Sequence, residues 1–225
     1  MLEDLKNNID FFIRNKTGFS RKNFIEKNHN LIERNKLENL YTKDILAQNF
    51  SKPTEENIKI LDIGCKNWFY AKGEHEFFSE HINKFQLDGV ELDAYRLYSN
   101  LYSRYEVAKY YTKGLQNTNY IADNLLNITT KYNYIIWFLP FVLVEPHTYW
   151  GLPKKYFYPE ALLKHAYSIL EQNGEMLIIN QGKIEEEVQK TLLDKLNIKY
   201  TQLGELKSSY FEYKYQRFGF LIKKV

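Results

Sequence analysis

The spacing of apolar residues changes once along the chain. Through residues 1–50 it is helical. Leu2, Leu5, Ile9, Phe12 and Ile13 form a first patch, and Phe24, Ile25, Leu31, Ile32, Leu37, Leu40 and Tyr41 a second that runs on less regularly to Ile45 and Leu46. This part predicts a helical N-terminal lid or appendage. A polar connector with Pro53, residues 51–57, separates it from the rest. From residue 58 short apolar runs alternate with helical patterns. Strands are predicted over 58–64, 86–93, 118–123, 131–141 and 175–182, and helices over 73–85, 94–114, 159–174 and 183–197. The last helix-to-strand unit is followed by two strands with no helix between them, 198–209 and 210–225. In the second, "YFEYKYQRF" alternates aromatic and polar residues.

Strands that alternate with helices imply a mostly parallel sheet covered on both faces, here over residues 58–225, and the last two strands imply an antiparallel hairpin. With 225 residues, 44% of them hydrophobic, the chain is long enough for one such domain with a sizeable core plus the helical appendage.

Composition narrows the function classes. A formal charge of +3 is too small for the basic stripe of a nucleic-acid binder, so a nucleic-acid partner is disfavoured. The longest apolar run, residues 134–144, is too short to cross a membrane and contains Pro140. Cys65 is the one cysteine, which excludes an internal disulfide; with no leader-like start, the expected location is the cytoplasm. Cys65 reads as a small buried residue. His75 and His81 are six positions apart, which is not a same-face spacing on a helix, so no metal site is expected.

Four stretches carry more. "ILDIGC" puts Asp62 and Gly64 at the carboxyl end of the first strand. "LDGVELD" puts Glu91 at the end of the second, with Asp93 two residues on. "NYIADNLL" puts Asp123 after the third. "LEQNGEMLIINQG" leads into the fifth. Parallel sheets bind ligands at this edge, where a carboxylate accepts from ribose hydroxyls and a glycine admits the ligand to the backbone. In this order, and with the terminal hairpin, the stretches resemble the class I S-adenosylmethionine-dependent methyltransferases. The resemblance implies a three-layer Rossmann-like α/β sandwich with a seven-stranded sheet, and S-adenosylmethionine as cofactor. It also implies Asp62 and Gly64 beside the cofactor, Glu91 on the ribose and Asp123 near the adenine amino group.

The first motif departs from that family's G-x-G or G-x-G-x-G. It reads "GCKNWFYAKG", and Asp62 and Glu91 are 29 positions apart. A longer loop over Cys65–Lys72 is therefore expected, with Gly73 ending it. Lys66 would face the carboxylate of the cofactor's amino-acid portion, and Trp68, Phe69 or Tyr70 would cover that part of the site. After the fourth strand, residues 137–160 read as a long non-helical loop where the family places substrate groups; Glu145 and His147 there, and Gln181 at the end of the fifth strand, are the catalytic candidates. Methyl transfer to a small-molecule acceptor is the expectation. The alternative is a non-catalytic protein that keeps the fold as a binding scaffold. Acceptor atom and oligomeric state cannot be read from these residues.

Overall fold

The computed structural model describes residues 29–98 and 101–225. The apolar patches predicted within residues 1–28 lie outside the described residues. Helix α1, His29–Asn49, is followed by strand β1, Ile58–Ile63, and helix α2, Ala71–Ser79. Strand β2 spans Phe85–Val90, helix α3 Arg104–Tyr111, strand β3 Thr118–Ile121 and strand β4 Tyr132–Phe138. The short helix α4, Val144–Tyr149, then helix α5, Pro159–Ile169, lead to strand β5, Leu170–Gln181. Helix α6, Gly182–Lys195, and strands β6, Thr201–Leu206, and β7, Arg217–Lys223, close the chain. The seven strands lie in the order β3-β2-β1-β4-β5-β7-β6. All are parallel except β7, which runs antiparallel to both β5 and β6.

Strand parity sorts the core into two layers. Ile58 and Ile60 of β1, Ile136 of β4 and Leu177 and Ile179 of β5 face α1 and α2, where they meet Tyr41, Ile45, Leu46, Phe77 and Phe78. Leu61, Ile63, Ile135, Trp137, Met176 and Ile178 face the other way, onto Leu163, Ala166 and Ile169 of α5 and Leu193 of α6. Successive side chains point to opposite faces, so both faces of each central strand must be apolar, as the sequence of β1 shows. The three-layer α/β sandwich is as predicted. Among the described residues no helix is long and apolar enough to cross a membrane.

Several boundaries move. The helix predicted over 94–114 forms only from Arg104, because Ser103 and Glu106 close a capping box that starts it there. The helix predicted over 159–174 ends at Ile169; Leu170 turns extended and joins β5, paired with Tyr132. The aromatic alternation of residues 210–216 is not strand. That segment is a loop, with Tyr213 edge-on to Tyr41 of α1 at 5.0 Å. Gly73 lies inside α2. A Cβ there would sit 2.2 Å from the Asn39 carbonyl oxygen, so this glycine lets α1 and α2 touch. Asn39 fastens the contact: its side-chain oxygen accepts from the Gly73 amide at 2.7 Å and its amide nitrogen donates to the Phe69 carbonyl at 2.9 Å.

Candidate functional site

The loop after β1 ends two residues before the expected Lys72. It enters α2 at Ala71, and three alternate residues take left-handed backbone: Gly64 at φ +71°, Lys66 at +56° and Trp68 at +47°. The loop therefore keeps the backbone shape that glycines adopt freely, with side chains at two of the three positions. Each such non-glycine residue costs on the order of 1 kcal/mol, and its neighbours hold it. The Lys66 amide donates to Glu91 Oε2 at 2.9 Å, and the Tyr120 hydroxyl donates to the Lys66 carbonyl.

Trp68 does not line a ligand site. It is fully buried, its indole N–H donating to Glu74 Oε2 at 2.8 Å. Its ring packs on Gly89 of β2, where a Cβ would come within 2.9 Å of both the ring and Cys65 Sγ. Cys65 is itself fully buried, and burial raises its thiol well above the usual range.

Gly64, Lys66, Glu91 and Asp123, from the carboxyl ends of β1, β2 and β3, line one cavity of about 340 Å³. Asp62 does not reach it. Asp62 is fully buried on the α2 side of β1, and Tyr70, which does line the cavity, donates its hydroxyl to Asp62 Oδ2 at 2.8 Å. Glu74 is also fully buried. Burial raises both carboxyls, and the charge of Asp62 raises Glu74 further. Asp62 Oδ1 and Glu74 Oε1 are both buried behind the cavity wall without a hydrogen-bond partner among the described residues.

Glu91 is buried and multiply held. Oε1 accepts from the Asp93 amide at 2.7 Å and lies 3.5 Å from Arg104 Nη1. Asp93 is turned away from the cavity, onto Arg104 at 3.4 Å and Arg96 at 2.5 Å. Asp123 is exposed at the rim. Its Oδ1 accepts from the Asn124 amide at 2.6 Å, while Asn124 rather than Asp123 caps the short turn of helix that follows.

The segment after β4 is not wholly non-helical, because it forms α4. His147 lines the cavity but is buried between the Phe141 and Phe157 rings, at 5.5 and 5.3 Å, with Nε2 3.1 Å from the Pro153 carbonyl. That arrangement holds the segment together. Glu145 is exposed and outside the cavity lining. Gln181, also outside it, accepts from Arg217 Nη1 at 3.2 Å. The segment is tied over the loop after β1: Lys66 Nζ lies 4.4 Å from the centre of the Trp150 ring, and Arg96 donates to the Trp150 and Gly151 carbonyls. Burial, then the nearby Arg104, lower the Lys66 ammonium below its usual range.

The cavity continues over β4, β5 and β7, past Phe138 and Ile179 to Tyr213 and Arg217, with Glu38 and Tyr41 of α1 along one wall. Phe69 and Tyr70, two of the three aromatic candidates of the loop, do line the cavity; none of Arg104, Tyr213, Arg217 and Glu38 is marked by a motif in the sequence. The one available signal was the Ser103-x-x-Glu106 capping box, which sets the start of α3 and hence the place of Arg104.

No protein-family model matches the chain, and no curated protein matches it in sequence. Solved structures do match. A SAM-dependent methyltransferase from Aquifex aeolicus superposes with a TM-score of 0.58 at 14% identity, covering 84% of this chain and 93% of its own. Magnesium protoporphyrin IX methyltransferase from Synechocystis PCC 6803, solved with bound SAM, gives 0.52 at 11% identity, covering 98% and 97%. The N-methyltransferase NodS from Bradyrhizobium japonicum WM9 gives 0.51 at 13% identity, covering 87% and 98%. At these identities the likeness establishes the shared fold.

Proposed function

We propose that this chain, which has the class I methyltransferase fold, binds S-adenosylmethionine and transfers its methyl group to a small-molecule acceptor. One observation carries the reading. Gly64, Lys66, Glu91 and Asp123, from three adjacent strand ends, line one cavity that continues into a largely aromatic second half. The donor set suits this cofactor. Glu91 is a buried carboxylate for a pair of ribose hydroxyls, and Asp123 is an acceptor at the rim for an adenine amino group. The Lys66 ammonium is a flexible charge partner for the amino-acid carboxylate. Asp62 acts through Tyr70.

When bound, the cofactor supplies a methyl group on a sulfonium, which leaves without activation by a protein acid. The residues of the chain therefore align the acceptor and exclude water. Residues 29–49 serve as a cap, because Glu38, Tyr41 and Thr42 form a wall of the cavity. The segment held by His147 and by the Lys66–Trp150 contact roofs the junction of the two halves. Glu145 and Gln181 lie outside the cavity lining, so neither is assigned a direct contact with the acceptor. The acceptor is small because the second half is bounded on one side by α1 and on the other by the segment after β4.

Isothermal calorimetry with S-adenosylmethionine and S-adenosylhomocysteine tests the reading. Saturable one-to-one binding of both is expected. Absence of heat with either ligand, from folded protein, would replace it with the scaffold alternative.

A further inference from the structure

The half of the cavity over β4, β5 and β7 contains a cation that no acid among the described residues neutralises. Arg217 begins β7 and is partly buried on the cavity wall. Its Nη1 donates to Gln181 Oε1 at 3.2 Å and to the Tyr215 carbonyl at 2.9 Å, and its guanidinium lies 4.3 Å from the centre of the Tyr213 ring. All three partners are neutral. Among the described residues Arg217 forms no ion pair within 4.0 Å.

Two acids are near enough to feel its charge, Glu185 and Glu38. Both are engaged elsewhere. Glu38 Oε1 takes Arg34 Nη2 at 3.2 Å and Nε at 3.4 Å. Glu185 Oε2 accepts from the Gln181 amide at 2.8 Å.

A guanidinium has five N–H donors in a fixed fork. Nη1 uses its two on the chain, which leaves Nη2 and Nε. Neither has a hydrogen-bond partner among the described residues, and neither is fully buried, on a side chain that lines the cavity. That remaining edge presents two parallel N–H bonds, the arrangement that matches a carboxylate. The surrounding walls are flat and apolar: Phe138, Tyr41 and Tyr213 line the same half.

We propose that Arg217 is the anion-recognition residue of the acceptor site, and that the acceptor is a flat, apolar small molecule carrying a carboxylate. The proposal rests on the methyltransferase reading for the word acceptor, though not for the anion site itself. Lysine would not serve equally, because an ammonium lacks the fork.

The test uses 2-naphthoate and its uncharged amide, 2-naphthamide, titrated into the full chain with and without saturating S-adenosylhomocysteine. Quenching of tryptophan fluorescence gives the readout, since Trp137 and Trp150 line the cavity. In the wild type the naphthoate should bind about ten-fold or more tightly than the amide. Arg217→Gln should abolish that preference and Arg217→Lys should retain part of it, both with the wild-type affinity for S-adenosylhomocysteine, which reads the other half of the cavity. Equal affinities in the wild type, a preference that survives Arg217→Gln, or no binding of either probe at millimolar concentration would overturn the proposal. An Arg217-dependent preference in protein that does not bind S-adenosylhomocysteine would uphold the anion site while the methyltransferase reading fails.

Discussion

Replacing Lys66 by glycine separates two roles open to its side chain. In one it pairs with the carboxylate of the bound cofactor; in the other it fills space that a glycine would leave for the ligand. The effect on folding is small in either case. Glycine relieves a left-handed residue at φ +56°, a gain of about 1 kcal/mol, and gives back about 0.5–1 kcal/mol in unfolded-state entropy. It also removes the ammonium 4.4 Å from the Trp150 ring, about 1 kcal/mol at a partly buried site. The net change is within about 1 kcal/mol, a shift in Tm of roughly 2–4 °C for a chain of this size. Binding is where the roles diverge. A charged partner is worth about 1.5–3 kcal/mol, so the pairing role predicts a loss of about 10- to 100-fold in affinity for S-adenosylhomocysteine, smaller at high salt. The space-filling role predicts a gain. Calorimetry with S-adenosylhomocysteine and with 5′-methylthioadenosine, which has no amino-acid portion, localises the effect. The first ligand should weaken and the second should not. Unchanged or tighter binding of S-adenosylhomocysteine, or an equal loss for both ligands, would refute the pairing.

Two further substitutions test the acids. Glu91→Gln keeps one acceptor oxygen where the native carboxylate serves the Lys66 and Asp93 amides and Arg104; it should cost about 2 kcal/mol of stability and about 10- to 100-fold in S-adenosylhomocysteine affinity, whereas Asp93→Asn should leave that affinity unchanged. The reverse pattern in the same titrations would assign the ribose to Asp93. Glu74→Gln addresses the buried pair. Burial raises both carboxyls, so folding takes up a proton. That stability is complete below the unfolded carboxyl pKa of about 4 and falls as pH rises, by up to about 1.4 kcal/mol per unit, until the pair ionises in the folded state. The glutamine can still accept from Trp68 and carries no charge against Asp62, so denaturant titrations should show the variant gaining on the wild type steadily from pH 5 to 8; parallel profiles would show that the pair holds no extra proton.

The strands were legible because burial on both faces leaves largely apolar runs, and β1 is apolar at every position but Lys59 and Asp62. Their carboxyl ends followed, and with them Gly64, Glu91 and Asp123. Parity also bears on Asp62, which shares a face with Ile58 and Ile60 and so points under α2 rather than into the cavity. The helix predicted over 94–114 began too early, since the Ser103–Glu106 capping box starts it at Arg104. Trp68 was out of reach for a different reason. Whether an indole at that position enters the core depends on room across the loop, and the room comes from Gly89 on a neighbouring strand. Arg217 and Tyr213 were hidden by an alternation that fits a half-buried strand and equally fits a loop laid against α1.

The loop after β1 holds left-handed backbone not only at Gly64 but at two residues that have a Cβ, Lys66 and Trp68. Strain of a few kcal/mol at most is set against the burial of an entire indole and a hydrogen bond into Glu74. Trp68 therefore acts as an anchor that fixes the loop from beneath, while Lys66, one step earlier in the same alternation, is left on the cavity side with its amide held by Glu91. The anchor and the cation are linked: once the indole locks the backbone, the loop no longer needs glycine to reach that shape. The position nearest the ligand is then free to carry charge. On this account Trp68→Gly would loosen the loop without enlarging the cavity, and Lys66→Gly would change the cavity without loosening the loop.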